Sequence, residues 1–420
     1  MKKVSTLCTL AAMLIFSSFI FQGCLKDTVS RTYTMYTPLY KTSAEVRANI
    51  KSDVPVPVKN PGKMFVLGNY IYLNEIDKGV HIIDNSNPAA PVNKYFIAIP
   101  GNLDLAVTGN TLYADLYSDL VTLDISDPSS VKIKKITDDV FPFRRYGNGF
   151  VSDPKKIIVD WIKKDTTVTT NIEEWAGRRD VLFLANSMDA RSISSSASAA
   201  APTGISGSMA RFTLLNNYLY TVTDNALNVF NISEPQNPVF TTKINIGWGI
   251  ETIYPFKTNL FIGSTTGMFV YSASNPAQPA LLGNFSHARR CDPVIADDSY
   301  AYVTLRGGGT CGGASNELDV IDIKNIQSTK LVKSYPLTNP YGLSKDGNTL
   351  FVCDGTAGLK VFDAADINSF KLLQTVNGIN AYDVITINGL AIVVAKDGLY
   401  QYDYNNRSDL KLLSSMSYNK

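Results

Sequence analysis

Four carboxylates recur at one place in a repeating pattern, namely Asp104, Glu251, Asp292 and Asp383. Each stands 20 or 21 residues ahead of a polar residue that closes a later strand, once a ten-residue loop is discounted for Asp292. Carboxylates gathered at one rim repel each other unless a cation lies among them. The set therefore suits a metal ion such as Ca²⁺, or a basic group on a ligand. Arg211 holds the corresponding place in another copy of the pattern, and His287, Arg289, Arg290, Trp248, Tyr341 and Tyr382 fall in loops that would form the rim. Two such carboxylates about 5 to 10 Å apart would also serve as acid and base on a glycosidic bond, the chemistry of a hydrolase or lyase. The simpler use is structural, each carboxylate bonding backbone amides of the next copy or pairing with Arg211 and Arg289.

No other chemistry has comparable support. His81 lies inside an alternating apolar strand and reads as a core residue. No serine sits in a nucleophile elbow. The glycines from Gly307 to Gly313 lie between strands instead of ahead of a helix, so they do not form a phosphate cradle. Neither a CxxC pair nor a Cys/His spacing of a zinc site is present.

The elements that must position these residues are copies of one unit, clearest from Leu343 to Lys371. A turn leads into the apolar run Leu350-Phe351-Val352-Cys353-Asp354. A glycine-bearing loop follows, then Gly358-Leu359-Lys360-Val361-Phe362-Asp363. The closing polar residue recurs at Asp84, Asp124, Asn231, Ser272, Asp322, Asp363 and Asp403, at intervals of 40, 107, 41, 50, 41 and 40 residues. The strands feeding these marks are rich in β-branched, Leu and aromatic residues. A unit of about 40 residues with four short strands is the size of one propeller blade, and it must stack with its copies to bury both faces. Seven marks predict an all-β, seven-bladed propeller of four-stranded antiparallel blades spanning 61–416, and the spacing also admits six or eight blades.

Two pieces of the chain carry the fingerprint most fully. They are Leu112-Tyr113-Ala114-Asp115 with Leu123-Asp124-Ile125-Ser126-Asp127-Pro128, and Leu350 to Asp354 with Gly358 to Asp363. Both resemble the LVIVD repeats of bacterial surface and secreted propellers of the Bacteroidetes type. The resemblance implies a propeller, usually on a lipoprotein, and no shared reaction.

The N-terminus gives the address. Lys2-Lys3 followed by the apolar run Leu7 to Phe21 is a secretory signal over 1–23, too short to span a bilayer comfortably. It ends Gln22-Gly23-Cys24, which is similar to a lipobox and marks Cys24 for lipidation. Two or more acyl chains make a stable anchor, so the expectation is a lipid-anchored protein of the outer membrane, exposed at the cell surface. Residues 24–60 read as a tether and entry segment, with Tyr33 to Tyr40 pairing to a blade edge and a helical turn from Ser43 to Ile50 capped by Ser43.

Basic residues number 39 and acidic residues 37, and the signal removes Lys2 and Lys3, so the rest is balanced. No clustered basic face points to nucleic acid. Cys8 leaves with the signal. Of the remaining cysteines, Cys291 and Cys311 would lie on one face of blade five, and export favours a disulfide between them, with Cys353 as the competitor. The insertion at 138–208 is expected to place loops over the pore face. Ile157 to Trp161 and Val168 to Ile172 would form a hairpin within it, Asp180 to Leu184 a further strand, and Ser192 to Ser208 a flexible Ser/Ala/Gly loop. Together these features predict a non-catalytic binding or scaffolding module for a protein or glycan, without a required cofactor.

Overall fold

The computed structural model describes residues 28–141, 156–171, 205–287, 293–308 and 315–418. The chain divides into two compact units.

The larger unit is a seven-bladed β-propeller. Blade one shows the pattern, with strands Pro61–Leu67, Tyr70–Glu75, Gly79–Asp84 and Val92–Ala98 paired antiparallel in order from the axis outward. The innermost strands of blades two to seven are Leu105–Thr108, Phe212–Leu215, Tyr254–Phe256, Val294–Ala296, Leu343–Asp346 and Ala381–Ile387. The third strands end at Asp84, Asp124, Asn231, Ser272, Asp322, Asp363 and Asp403, so all seven marks fall where the repeat places them.

The closing residue is polar because its side chain starts the turn. Its oxygen accepts a hydrogen bond from the amide two residues on, at 2.9 Å from Ser86, 3.0 Å from Ser126, 2.8 Å from Ser233, 3.2 Å from Ser274, 2.9 Å from Lys324, 3.1 Å from Ala365 and 2.8 Å from Asn405. Such Asx-type bonds compete with strand extension and end it. In every blade a register shift between the third and fourth strands lies near this turn. A bulge there increases the local twist of the outer strand.

Neighbouring blades are bolted through the turns. The hydroxyl of Tyr113 donates to the carbonyl of Pro235 at 2.7 Å, that of Tyr220 to Pro276 at 2.8 Å, and that of Tyr335 to Ile367 at 2.6 Å. Between them the blade faces bury Val, Ile, Leu and aromatic residues, with Tyr113, Tyr220, Tyr302, Phe65 and Phe351 fully enclosed.

The ring closes without a shared strand. Blade seven takes all its strands from the C-terminal segment, Ala381–Ile387, Leu390–Ala395, Gly398–Asp403 and Lys411–Ser417. Met64, Val66, Ile71 and Leu73 of blade one pack with Ile385, Ile392, Val394 and Leu399 of blade seven. The amides of Asn85 and Gln401 exchange two hydrogen bonds across the seam, at 2.8 and 2.6 Å.

The entry segment is ordered differently from the expectation. Lys51–Asp53 pairs with Val92–Ala98 and gives blade one a further outer strand. The helical turn Ser43–Arg47 is capped by Thr42, not Ser43, in a reciprocal capping box with Glu45. Its Arg47 reaches Asp119 at 2.5 Å and also pairs with Asp138 of blade two.

In the smaller unit, Thr28–Lys41 pairs with the 15-residue strand Ile157–Asn171. Hydroxyl and carboxylate contacts Ser30–Thr169, Thr32–Thr167 and Thr34–Asp165 fix an antiparallel ribbon. This replaces two expectations at once. Tyr33 to Tyr40 does not lie on a blade edge, and Ile157 to Asn171 is one continuous strand with a distant partner, not a hairpin. Asp180 to Leu184 lies outside the described residues.

Candidate functional site

The charged residues converge where the innermost strands begin. Asp104 immediately precedes the inner strand of blade two, Arg211 that of blade three, and Asp383 lies near the start of that of blade seven. Blade one contributes Lys63 at the matching place, and only 4% of that residue is exposed. The same count of 21 residues back from Asp84 lands on Lys63, so the signal was present in the repeat. A search for carboxylates passes over it.

The axis is filled by the chain itself. The segment returning from the insertion enters as a short strand, Ile205–Ser206, which pairs with the innermost strand of blade one. The amide of Gly207 donates to Met64 O at 2.9 Å. The hydroxyl of Ser208 accepts from the amide of Leu343 in blade six. Ala210 O accepts from Ile253 N of blade four at 3.2 Å, and the amide of Arg211 donates to the carboxylate of Asp104 in blade two. Ser206, Ser208, Met209 and Ala210 are buried. Thus Ile205 to Ser208, expected as the end of a flexible loop, is an axial plug tied to several blades. Its small residues allow this, since a Cβ on Gly207 or on Gly342 would collide with the carboxylate of Asp383.

Burial governs the electrostatics. It pushes the Asp104 carboxyl up to about 6, against the pull of Lys63 and of the Arg211 and Leu105 amides. It pushes Asp383 up to about 7, against bonds from the Val384 amide and Ser208 and the charge of Lys63. Burial lowers the Lys63 ammonium to about 8, opposed chiefly by the attraction of Asp104 and also by Asp115 and Asp383, while Arg211 adds to the lowering. Asp104 and Asp383 are 2% and 5% exposed and accept backbone amides, so they are employed in holding the ring.

A group raised in the folded state favours folding below its ordinary value, and that contribution is lost as pH rises through the folded value. For Asp383 the window lies between about 4 and 7. Asp383→Asn is expected to remove this dependence. Between pH 5 and 8 the parent should lose about 1–3 kcal/mol relative to the variant, measured by urea unfolding at each pH. A constant difference between the two would contradict the assignment.

The carboxylates of the repeat fingerprint hold loops. Asp115 Oδ1 accepts from the amides of Leu103 at 2.7 Å and Asp104 at 2.9 Å. Asp354 accepts from Thr338 and Asn339, at 2.9 and 2.7 Å to Oδ1, and pairs with Lys360 at 2.6 Å. Glu75 does the same for Lys59 and Asn60 in blade one and bonds His81 Nε2 at 3.1 Å, which gives the buried His81 its structural place.

The remaining candidates divide. Tyr341 and Tyr382 meet with ring centroids 5.0 Å apart, and the guanidinium of Arg306 stacks over Tyr341 at 4.0 Å. Arg306 was not anticipated, because it lies in a glycine-rich loop with no partner visible in one dimension. Trp248 projects to solvent, 66% exposed, from the loop before Glu251, which is itself buried. His287 follows the outer strand of blade four, with its ring 6.5 Å from Phe285. Arg289, Arg290, Asp292, Cys24, Cys291 and Cys311 lie outside the described residues. Cys353 is a fully buried free thiol, and burial pushes its pKa well up. Among the described residues no group of three or more His, Cys, Asp or Glu side chains is arranged to hold a metal ion.

With this geometry in place, comparison with known proteins locates the chain. The LVIVD repeat model matches residues 62–96, 102–139 and 206–245, which fall in blades one, two and three. No curated protein matches the sequence. Among solved structures, BamB from Moraxella catarrhalis is similar over 87% of this chain and 97% of that one, at 7% identity and a TM-score of 0.51. A protein from Lactobacillus plantarum is similar over 85% and 96%, at 11% identity and a TM-score of 0.50. The computationally designed Ika8 protein is similar over 87% and 91%, at 10% identity and a TM-score of 0.50. At these identities the likeness is one of fold alone. The chain is a seven-bladed β-propeller with LVIVD repeats in its first three blades.

Proposed function

We propose that this protein is an exported lipoprotein, anchored in the outer membrane through Cys24 and exposed at the cell surface, whose propeller binds a protein or glycan without catalysis. The observation that carries the binding part is the employment of the axial acids. Asp104 and Asp383 lie beneath the chain's own Ile205–Ala210 segment and bond backbone amides, while Asp115, Asp354 and Glu75 hold the loops. Acid–base work needs a carboxyl group within reach of a bound substrate, and these groups face the protein. The loop face instead offers exposed Trp248 and the Arg306–Tyr341–Tyr382 stack. Tryptophan, tyrosine and arginine are the residues that most often dominate binding energy. The basic head, apolar core and Gly23-Cys24 junction support the anchor.

The test pairs binding with turnover. Purified protein is titrated against a panel of envelope glycans and against detergent-solubilised envelope proteins. The expected result is saturable binding of one ligand, weakened at least tenfold by Trp248→Ala or by Tyr341→Ala with Tyr382→Ala, and no bond cleavage. Turnover of a glycan that is lost in Asp104→Asn or Asp383→Asn would replace this reading with the hydrolase or lyase. Labelling of cells with an alkyne fatty acid should mark the parent and leave Cys24→Ala unmarked.

A further inference from the structure

We infer that the ribbon formed by Thr28–Lys41 and Ile157–Asn171 is a membrane-contacting element that lays one face on an anionic lipid surface. The exposed large apolar side chains of this ribbon fall on one face. On the opposite face, Ser30–Thr169, Thr32–Thr167 and Thr34–Asp165 close a ladder of side-chain hydrogen bonds, at 2.7, 3.0 and 2.7 Å, and Lys163 lies 5.6 Å from the centre of the Tyr36 ring. These contacts fix the register, and side chains alternate along each strand. The first face therefore carries Arg31, Tyr33, Met35, Thr37, Leu39 and Lys41 from the first strand and Ile158, Asp160, Ile162, Lys164, Thr166 and Val168 from the second.

Ile158 at one end of that face is buried, and the large apolar side chains along the rest of it are open. Met35 is 47% exposed, Leu39 45%, Ile162 57% and Val168 44%. Four large apolar side chains on one face of a two-stranded ribbon are costly in water. Arg31 and Lys164 stand beside them, and the ribbon as a whole carries Arg31, Lys41, Lys163 and Lys164 against Asp160 and Asp165. Apolar groups flanked by long basic side chains match the boundary of a bilayer, where the stems lie among the acyl chains and the charges meet anionic headgroups.

The chain length supplies the occupant. This part rests on the lipid-anchor reading of Cys24. Only Leu25, Lys26 and Asp27 separate that residue from Thr28, so the ribbon begins within roughly 14 Å of the anchored residue even at full extension. An element so tethered meets the bilayer surface before any other partner. An extended protein ligand on the same face is the outcome the experiment discriminates.

The test removes the acyl chains so that the ribbon must act alone. The mature chain carrying Cys24→Ser is floated with vesicles of phosphatidylglycerol and phosphatidylethanolamine. The expected result is co-flotation that falls at least tenfold with Met35→Glu plus Ile162→Glu, and less than twofold with Lys163→Glu, which makes the same change in charge on the opposite face and leaves the three hydrogen bonds of the ladder in place. Ile162→Thr, a milder change that suits a strand, should give an intermediate loss. Vesicles of phosphatidylcholine alone should bind more weakly than the anionic ones. A parent that stays in the bottom fraction, or equal losses from both faces, would overturn the inference. Fatty-acid labelling reports separately on Cys24, so face-specific flotation without labelling would leave the ribbon assignment standing and remove the anchor.

Discussion

Lys63→Met is expected to destabilise the propeller by about 3–5 kcal/mol, the usual cost of leaving a buried charge uncompensated. Lys63 is fully enclosed at the axis, and its ammonium is attracted by Asp104, Asp115 and Asp383. Methionine matches the stem but removes the charge, so the carboxylates either stay ionised in a poor solvent or take up protons. The midpoint of urea unfolding at pH 7, where Lys63 is still mostly charged because burial lowers it only to about 8, should drop sharply, and the loss should shrink at pH 5, where Asp104 and Asp383 take up protons readily because burial raises them to about 6 and about 7. Adding Asp383→Asn should recover part of the loss, because one uncompensated charge is then gone. A neutral or stabilising Lys63→Met would mean that the ring is not held by charge.

The second large effect is steric. Gly207→Ala and Gly342→Ala each place a methyl group into the carboxylate of Asp383, from the plug and from blade six respectively. The carboxylate cannot swing aside easily, since it is buried and bonded to the Val384 amide at 3.0 Å. Overpacking of this kind costs about 1–3 kcal/mol per site. The diagnostic measurement is a double-mutant cycle by urea unfolding. Gly207→Ala should be destabilising in the parent and far less so in Asp383→Ala, which opens the space. Equal costs in both backgrounds would place the methyl group elsewhere.

Much of this was legible in one dimension, and the reason is local. The closing residue of each third strand is polar because its own side chain bonds an amide two residues later, a short-range device that leaves a short-range signature. Copies of that device, at intervals of 40 or 41 residues in four cases of six, predicted seven blades, and only the 107-residue interval left room for another count. The axial positions of Asp104, Arg211 and Asp383 followed from the same count. Their environment did not, because it depends on which distant segment lies against them. Nothing in Ser206-Gly207-Ser208-Met209-Ala210 announces an axial strand, since small polar residues read as loop until a partner calls for close approach. Lys63 was hidden for a different reason, as the repeat marks its place but a charge of opposite sign does not belong to a carboxylate set. The ribbon was misread because Ile157–Asn171 has the alternation of a strand but its partner lies 116 or more residues earlier, at Thr28–Lys41. Alternation gives the strand and its faces, and it cannot give the neighbour.

The axial plug is the claim on which the structural role of the buried acids rests, and amide exchange tests it most directly. Hydrogen–deuterium exchange of the intact protein, read on a peptide covering Ile205 to Phe212, should show Gly207 and Arg211 protected to the same degree as the innermost strands of blades one and two. Exchange of that peptide at the rate of an unstructured chain would contradict the account, since the channel would then be open and Asp104 and Asp383 would face it.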